Sequence, residues 1–185
     1  YVLSALNIFQ EGGKDTRDKQ SINWVQHFFD AMPGGFFIYR ANEEEEIIYA
    51  NRELLRIFGC DTMEEFRQHT GNSFKGIVHP EDLDEVEKSI WEQIVENQYD
   101  LDYVEYRIIQ KNGEVRWIDD YGHFVRNKNV GDFFYVFVGD ATEKKRRQME
   151  ALHYINKERG QYLELIEGLS SHYESLLYVD LEDDS

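Results

Sequence analysis

Short apolar runs mark three segments of the chain as strands. Residues 36–39 and 47–50 flank the acidic loop 42–46, a pattern typical of an antiparallel pair with a solvated connection. Residues 133–138 are apolar throughout, and their aromatic and β-branched content favours a strand over a helix. The chain therefore carries an early strand pair and a late strand that is covered on both sides.

Between these strands, the period-two segments 101–109 and 114–125 flank Asn112-Gly113. This dipeptide is the strongest short signal for a hairpin. With these two residues as the turn, the register divides the side chains between two faces of the sheet. One face carries Val104, Tyr106, Ile108, Trp117, Asp119 and Tyr121; the other carries Glu105, Arg107, Ile109, Arg116, Ile118 and Asp120.

Helical spacing predicts the remaining elements. Apolar residues of 21–32 repeat every three or four positions and stop at Pro33-Gly34-Gly35, which ends a helix. Asn51 and Thr62 are caps for two short helices. A longer helix begins at the segment 79–82, His-Pro-Glu-Asp, because proline and acidic residues suit a helix N-terminus.

The order of these elements predicts an α+β fold. Its five-stranded antiparallel sheet has inner helices on one face and is flanked by N- and C-terminal helices. The predicted divisions are an N-terminal segment or linker (1–20), a cap helix (21–33), the domain itself (34–142), a C-terminal signalling helix (143–177) and a final segment (178–185). Leu177 to Leu181 resembles the first strand of a domain. The final segment is therefore predicted to be either the start of a following domain or a linker.

Composition and charge limit the classes of partner that this chain is expected to bind. The chain has 185 residues and a formal net charge of −17, from 20 basic and 37 acidic side chains, which argues against nucleic acid or an anionic membrane as a partner. The single cysteine, Cys60, forms no internal disulfide and favours the cytoplasm. No apolar stretch reaches the ~20 residues of a membrane helix. A start at Tyr1 and an acidic end are typical of a piece of a longer polypeptide, whose membrane spans or catalytic domains would lie outside this sequence.

Five landmarks in order resemble the PAS family. They are the segments 32–39 (MPGGFFIY), 49–51 (YAN), 78–82 (VHPED), 106–118 (YRIIQKNGEVRWI) and 139–142 (GDAT). The resemblance implies a PAS sensory or dimerisation module of a bacterial signalling protein such as a diguanylate cyclase or a histidine kinase. In the family, the Asp-x-Thr junction leads into a signalling helix. Asp140 and Thr142 are therefore candidate junction residues, Thr142 as a helix cap and Asp140 as a partner for Arg146 or Lys144.

The resemblance also allows cofactor classes to be tested on the residues. Flavin-photosensing members carry a cysteine in an Asn-Cys-Arg-Phe motif, whereas this chain has Gly71-Asn72-Ser73-Phe74 and places Cys60 upstream. Haem-binding members supply a histidine from the long helix, and residues 81–98 contain none. We predict no flavin, haem or metal. His79 is expected to open the helix and Cys60 to pack as a small hydrophobic residue.

A small-molecule ligand between the inner helices and the sheet remains an open expectation, since aromatic walls and a few polar groups are typical of such pockets. Ordinary sheet packing is the alternative for the same residues. The candidate lining residues are Tyr106, Arg107, Trp117, Tyr121 and His123.

The tail carries a heptad stripe that is interrupted once, at Arg159. The pattern favours a parallel homodimer through the terminal helices; a single amphipathic helix that folds back on the sheet is the alternative. The stripe consists of Leu152, Ile155, Tyr162, Ile166, Leu169, Tyr173 and Leu176.

The predicted function is a sensory module without catalysis of its own, which transmits a signal through the C-terminal helix to an output domain outside this sequence. A scaffold that dimerises without a ligand is one alternative. The other is a phosphoacceptor region around Ser171-His172-Tyr173-Glu174, although Tyr173 stands where histidine kinases have an acidic residue.

Overall fold

The structure, a computed structural model of the chain, describes residues 27–96 and 98–182, and for 168–182 it describes the backbone alone. The first 26 residues, with most of the predicted cap helix, lie outside this description. Residues 27–30 form a helical turn. Strands β1 (Gly35–Arg40) and β2 (Ile47–Ala50) then pair antiparallel across the acidic loop, as predicted.

Four helices lie between the early and late strands, and the cap residues that the sequence indicated begin two of them. The Asn51 side chain accepts from Leu54 N at 3.0 Å, and Thr62 Oγ1 accepts from Glu65 N at 3.2 Å. Each bond satisfies a backbone donor that a helix start leaves free. The helices are α1 (Arg52–Ile57), α2 (Met63–Thr70), α3 (Phe74–Ile77) and α4 (Leu83–Glu96).

Strands β3 (Leu101–Ile109), β4 (Val115–Val125) and β5 (Phe133–Asp140) complete one sheet. The strand order is β2-β1-β5-β4-β3, and every neighbouring pair is antiparallel. The last strand thus inserts beside the first one. This confirms the predicted α+β class with a five-stranded antiparallel sheet.

The turn of the β3–β4 hairpin contains three residues rather than the two predicted. Gln110 N donates to Glu114 O, and Gly113 N donates to Gln110 O, both at 2.8 Å. Gly113 has φ +84°, a left-handed conformation that glycine adopts without steric cost. Three-residue hairpin loops that close on such a residue are common.

The extra turn residue shifts the pairing by one, so Tyr106 opposes Ile118 and Arg107 opposes Trp117. A shift of one residue exchanges the two faces of a strand. The predicted faces of β4 were therefore wrong. Ile118 and Asp120 lie on the inner face, which the helices cover, and Trp117, Asp119 and Tyr121 lie on the outer face.

The main core lies between the inner face of the sheet and helices α1 to α4. Phe37, Tyr106 and Ile118 are fully buried there with Leu54 and Phe66 of the helices. A smaller apolar cluster covers part of the outer face. It consists of Phe29, Phe36, Ile38 and Phe133.

Asn51 joins the N-terminal turn, β1 and α1. Its Oδ1 accepts from Phe36 N at 2.9 Å as well as from Leu54 N. Its Nδ2 donates to Phe29 O at 2.9 Å and to Gly34 O at 3.0 Å. The side chain is fully buried, and these four bonds use its full hydrogen-bonding capacity.

Helix α5 (Thr142–Glu182) follows β5 and is 41 residues long. The chain divides into compact units after Thr142. The backbone is helical through Leu181, so the strand predicted for 177–181 was wrong. The heptad spacing continues through Leu176, and no glycine or proline after Gly168 ends the helix. Among the described helices, none combines the length and apolarity needed to cross a bilayer.

Candidate functional site

The five candidate pocket residues do not line one pocket. Tyr106 is fully buried on the inner face of β3. Arg107, Trp117, Tyr121 and His123 have the opposite parity and lie on the outer face. Trp117 lines a separate groove of about 430 Å³ beside α4 and the edge of β3. The one-residue shift of the hairpin explains the outer placement of the β4 residues.

Arg107 has a structural role in place of the predicted ligand contact. Its Nε donates to Asp82 Oδ2 at 3.0 Å, and its Nη2 donates to Glu81 Oε2 at 2.9 Å. The Arg107 side-chain bonds hold the pKa of Asp82 below its ordinary value. His79 N donates to Arg107 O, and His79 Nδ1 accepts from Glu81 N. These bonds attach the start of α4 to the edge of β3, consistent with the expected structural role of His79.

A cavity of about 280 Å³ lies between the inner face of the sheet and helices α3 and α4. Four aromatic rings contribute to its wall: Tyr39, Phe74, Trp91 and Phe134. The Tyr39 ring stacks on Phe74 with centroids 4.7 Å apart and on Phe134 at 4.9 Å, and Trp91 stands edge-on to Phe134 at 5.8 Å. The cavity thus has a rigid wall of packed aromatic side chains.

Glu45 also lines the cavity, and the β1–β2 loop positions it. Its N–H donates to Asn42 Oδ1 at 3.0 Å, and its carbonyl accepts from Phe74 N at 3.0 Å. Ile47 N donates to Asn72 O at 2.9 Å. The loop is therefore attached to the start of α3, beside the aromatic wall.

Glu87 reaches the same cavity from α4. Glu87, Ile90 and Trp91 share one side of the helix because residues three and four apart are neighbours. Within the described ranges, neither Glu87 Oε1 nor Glu45 Oε2 has a hydrogen-bond partner, although both atoms are buried. Burial raises the pKa of Glu45 to about 7, against the opposing charge of Lys75.

Two further acids lie on the inner face of the sheet. Asp120 is 1% exposed and accepts from the Tyr106 hydroxyl at 2.6 Å. Asp102 is 6% exposed, and its Oδ1 has no partner among the described residues. Its carboxylate lies over Gly122, where an added Cβ would meet it at 2.2 Å. Burial raises the pKa of both groups, that of Asp102 to about 6.

Tyr39 connects the aromatic wall with all four acids. Burial raises the pKa of its hydroxyl, and the charges of Asp120, Asp102, Glu45 and Glu87 raise it further. The interior of the domain therefore places four acidic side chains near one aromatic wall. Lys75 is the cation that lines the cavity, and its Nζ donates to Glu43 O at 3.2 Å.

The candidate junction residues hold the end of β5 to β4. Ala141 N donates to Trp117 O at 2.8 Å, and Trp117 N donates to Thr142 Oγ1 at 3.0 Å. Asp140 accepts from Thr142 N at 2.9 Å and pairs with Arg116 at 3.1 Å. Arg116 lies upstream on β4 and is a partner that the sequence did not indicate. Burial opposes ionisation of Asp140, but these hydrogen bonds outweigh it and lower its pKa.

Comparison with known proteins now identifies the domain. Residues 47–137 match the sequence model of a family described as PAS fold. The chain contains a PAS domain. The PAS domain of a Colwellia psychrerythraea protein is similar, with 18% identity and a TM-score of 0.54 over 66% of this chain and 98% of that chain. None of the curated protein sequences matches the chain.

Two other solved structures share the fold. A sensory box histidine kinase/response regulator from Burkholderia thailandensis is 20% identical, with a TM-score of 0.50 over 77% of this chain and 96% of that chain. A Rhodobacter sphaeroides LOV protein is 16% identical, with a TM-score of 0.51 over 69% of this chain and 74% of that chain. At these identities, the similarity shows the PAS fold and leaves the ligand open.

The cysteine of this PAS domain packs as the sequence predicted. Cys60 is 4% exposed, and its thiol donates to Phe58 O at 3.8 Å. Burial raises the pKa of the thiol, which disfavours the reactive thiolate. Within the described ranges, no three His, Cys, Asp or Glu side chains are arranged to hold a metal ion. That the domain works without flavin or haem stays a prediction.

Sequence reasoning missed the acids of the PAS interior. Asp102 shares its parity with Val104 and Tyr106, so an acid on the apolar face of β3 was a usable signal. Asp120 was assigned to the wrong face because the predicted turn was one residue too short. Glu45 stands within a run of four glutamates, and nothing in the run distinguishes the one that turns inward.

Proposed function

We propose that this chain is a sensory module that changes the state of its PAS interior on binding a small molecule and transmits that change through α5. The output domain lies outside this sequence, and the chain itself performs no catalysis. One observation carries the proposal. The backbone of Trp117 on β4 is hydrogen-bonded to both Ala141 and Thr142, at the start of α5.

The position of Trp117 supports a route from the interior to this junction. Asp120 and Gly122 lie on the same strand, three and five residues further on. A ligand that changes the protonation or the packing of Asp120 and Asp102 would shift β4. Because Trp117 contacts the junction through backbone bonds, such a shift would alter the start of the helix directly.

We further propose that the module acts as a homodimer through α5. Every described side chain from 151 to 167 is exposed, including the stripe residues Leu152 and Ile155 at 59% and 58%. An apolar stripe at heptad spacing is buried when two helices pair. A second copy of this chain supplies the matching stripe. The cytoplasm remains the proposed compartment, on the basis of the single cysteine, Cys60.

Helix phase tests the transmission. In a longer protein that contains this chain and its output domain, one to seven residues are inserted after Glu150. Each residue rotates the helix by roughly 100°, and seven restore the phase. Output should vary with insertion length and return to near-native regulation at seven. Output that ignores insertion length would show that the helix is a passive tether.

A further inference from the structure

The cavity beneath the sheet combines two features that favour the same kind of ligand. Its wall includes four aromatic side chains, Tyr39, Phe74, Trp91 and Phe134. Aromatic side chains offer apolar surface to an alkyl chain. The same wall carries Glu45 and Glu87, whose carboxylates attract positive charge. A ligand with an alkyl chain and a cationic head would match both features.

Buried oxygen atoms without partners indicate a missing donor. Glu45 Oε2 and Glu87 Oε1 are buried and have no hydrogen-bond partner among the described residues. Asp102 Oδ1 is in the same state on a side chain that is only 6% exposed. Native proteins rarely leave buried acceptors unsatisfied, and an unpaired buried carboxylate is especially costly. A ligand with N–H donors in the cavity would satisfy the oxygens of Glu45 and Glu87.

The charged groups around the cavity leave it negative. Glu43, Glu45 and Glu87 line it together with one cation, Lys75. The Lys75 ammonium donates to a backbone carbonyl at the rim, and its charge lowers the pKa of Glu45 by less than burial raises it. One lysine therefore does not neutralise the site.

We propose that this cavity binds a small primary alkylammonium ion, whose nitrogen donates to Glu45 and Glu87 and whose alkyl chain lies against the aromatic wall. A volume of about 280 Å³ lies at the small end of ligand pockets, which suits a short chain. A quaternary ammonium ion fits less well because it has no N–H to offer the orphaned oxygens.

This inference names the ligand class of the sensory role proposed above and rests on it for its biological meaning. The binding itself is measurable without any output. Titration calorimetry on the whole chain, in about 150 mM salt to screen the net charge, uses butylamine, 1,4-diaminobutane, tetramethylammonium and butanol as probes. We expect both amines to bind and the other two probes to bind at least about tenfold more weakly.

Variants assign the site. Glu87→Gln and Glu45→Gln should each weaken butylamine binding by about tenfold or more, because each removes a charged acceptor. Glu92→Gln is the matched control, since Glu92 lies on the same helix, exposed and paired with Lys88, and its loss changes the net charge equally. Trp91→Leu should weaken binding severalfold. Raising the pH from about 6 to 8 should strengthen binding as Glu45 loses its proton.

Two outcomes would overturn the proposal. One is an absence of amine binding up to about 10 mM, a concentration at which even a weak specific site is occupied. The other is an equal loss of affinity in Glu92→Gln and Glu87→Gln, which would indicate attraction by the net charge alone. If the amines bind but output does not depend on the insertion length, the binding site is supported and transmission through α5 is disproved.

Discussion

The PAS domain and helix α5 differ in where their apolar side chains lie. In the domain, Phe37, Tyr106 and Ile118 are fully buried between the sheet and the helices. In α5, Leu152 and Ile155 remain more than half exposed. The domain therefore contains the contacts that stabilise it, whereas the apolar stripe of the helix stays exposed in a single chain. Burial of apolar area is the main source of stability of a fold, and the dimer proposed above would bury the stripe.

A substitution at Asn51 should lower the stability of the domain the most. Replacing Asn51 by Ala removes four hydrogen bonds, three of them buried, and leaves the backbone donors of Phe36 and Leu54 unsatisfied. We expect a loss of about 3–5 kcal/mol in the free energy of unfolding. Urea denaturation followed by tryptophan fluorescence measures it.

Asn127→Ala is the control for this change. The Asn127 side chain also accepts from two backbone N–H groups, those of Asn129 and Val130, but one of these bonds is exposed and the other only partly buried. Water can replace those bonds, so the loss should stay below about 1 kcal/mol. Equal effects of the two substitutions would refute the role of Asn51 as the connection between the N-terminal turn, β1 and α1.

A substitution in α5 should disrupt the proposed dimer without destabilising the domain. Ile155→Glu places a charge in the proposed seam and should raise the dimer dissociation constant by about a hundredfold or more. Light scattering across a concentration series measures the dissociation. The unfolding transition of the domain should not move.

Tyr154→Glu provides the comparison for this experiment. Tyr154 is 62% exposed and lies beside Ile155, but outside the heptad stripe. Its substitution should leave the dimer largely intact. A monomeric native chain at tens of micromolar, or equal dissociation in both variants, would contradict dimerisation through this stripe.

The buried acids should give the domain an unusual pH dependence. The pKa of Asp102 is about 6 in the folded chain, above its ordinary value of 3.8, so the folded state binds this proton more tightly than the unfolded state. The resulting stabilisation is complete below pH 4 and is lost as the pH rises through 6. Groups with a lowered pKa, such as Asp82 and Asp140, lose their contribution only when the pH falls below about 4.

Asp102→Asn should flatten this dependence. The native chain should lose stability between pH 5 and pH 8, and the variant should lose about 1.4 kcal/mol less over the same range. Denaturant midpoints at four pH values give the comparison. Asp100→Asn is the neighbouring control, because Asp100 pairs with Arg126 on the surface. Parallel curves for the native chain and Asp102→Asn would show that Asp102 does not titrate in this range.

The elements of the domain were predictable because each has a local signal. Asn51 and Thr62 have the side chains that cap helices, and the alternation of β3 and β4 follows from one buried face. The face assignment of β4 was wrong because Asn-Gly occurs in both two- and three-residue turns. The hydrogen bond from Gln110 N to Glu114 O shows that this turn has three residues. Local sequence fixes the presence of the hairpin, but not its register.

The candidate site was less predictable than the fold. The cavity joins Glu45 of a loop with Glu87 of α4 and residues of β1 and β5, and only tertiary packing brings these segments together. Arg107 suggested ligand binding by its chemistry, yet its guanidinium is occupied by Asp82 and Glu81. Side-chain chemistry alone does not distinguish a ligand contact from an internal ion pair.

The smallest expected effect concerns the position at which the two units meet in sequence. Thr142→Val keeps the shape of the side chain and removes the hydroxyl that accepts from Trp117 N at 3.0 Å. That donor lies in a partly buried place, so we expect a loss of about 1 kcal/mol in the unfolding free energy of the domain. Thr142→Ser keeps the hydroxyl and should restore most of it. Because the bond joins β4 to the first residue of α5, its loss should weaken regulation in a longer protein more than it weakens the fold. If Thr142→Val destabilises the domain but leaves regulation native, the junction is only a structural cap, and the signal does not pass from Trp117 to the helix through this hydroxyl.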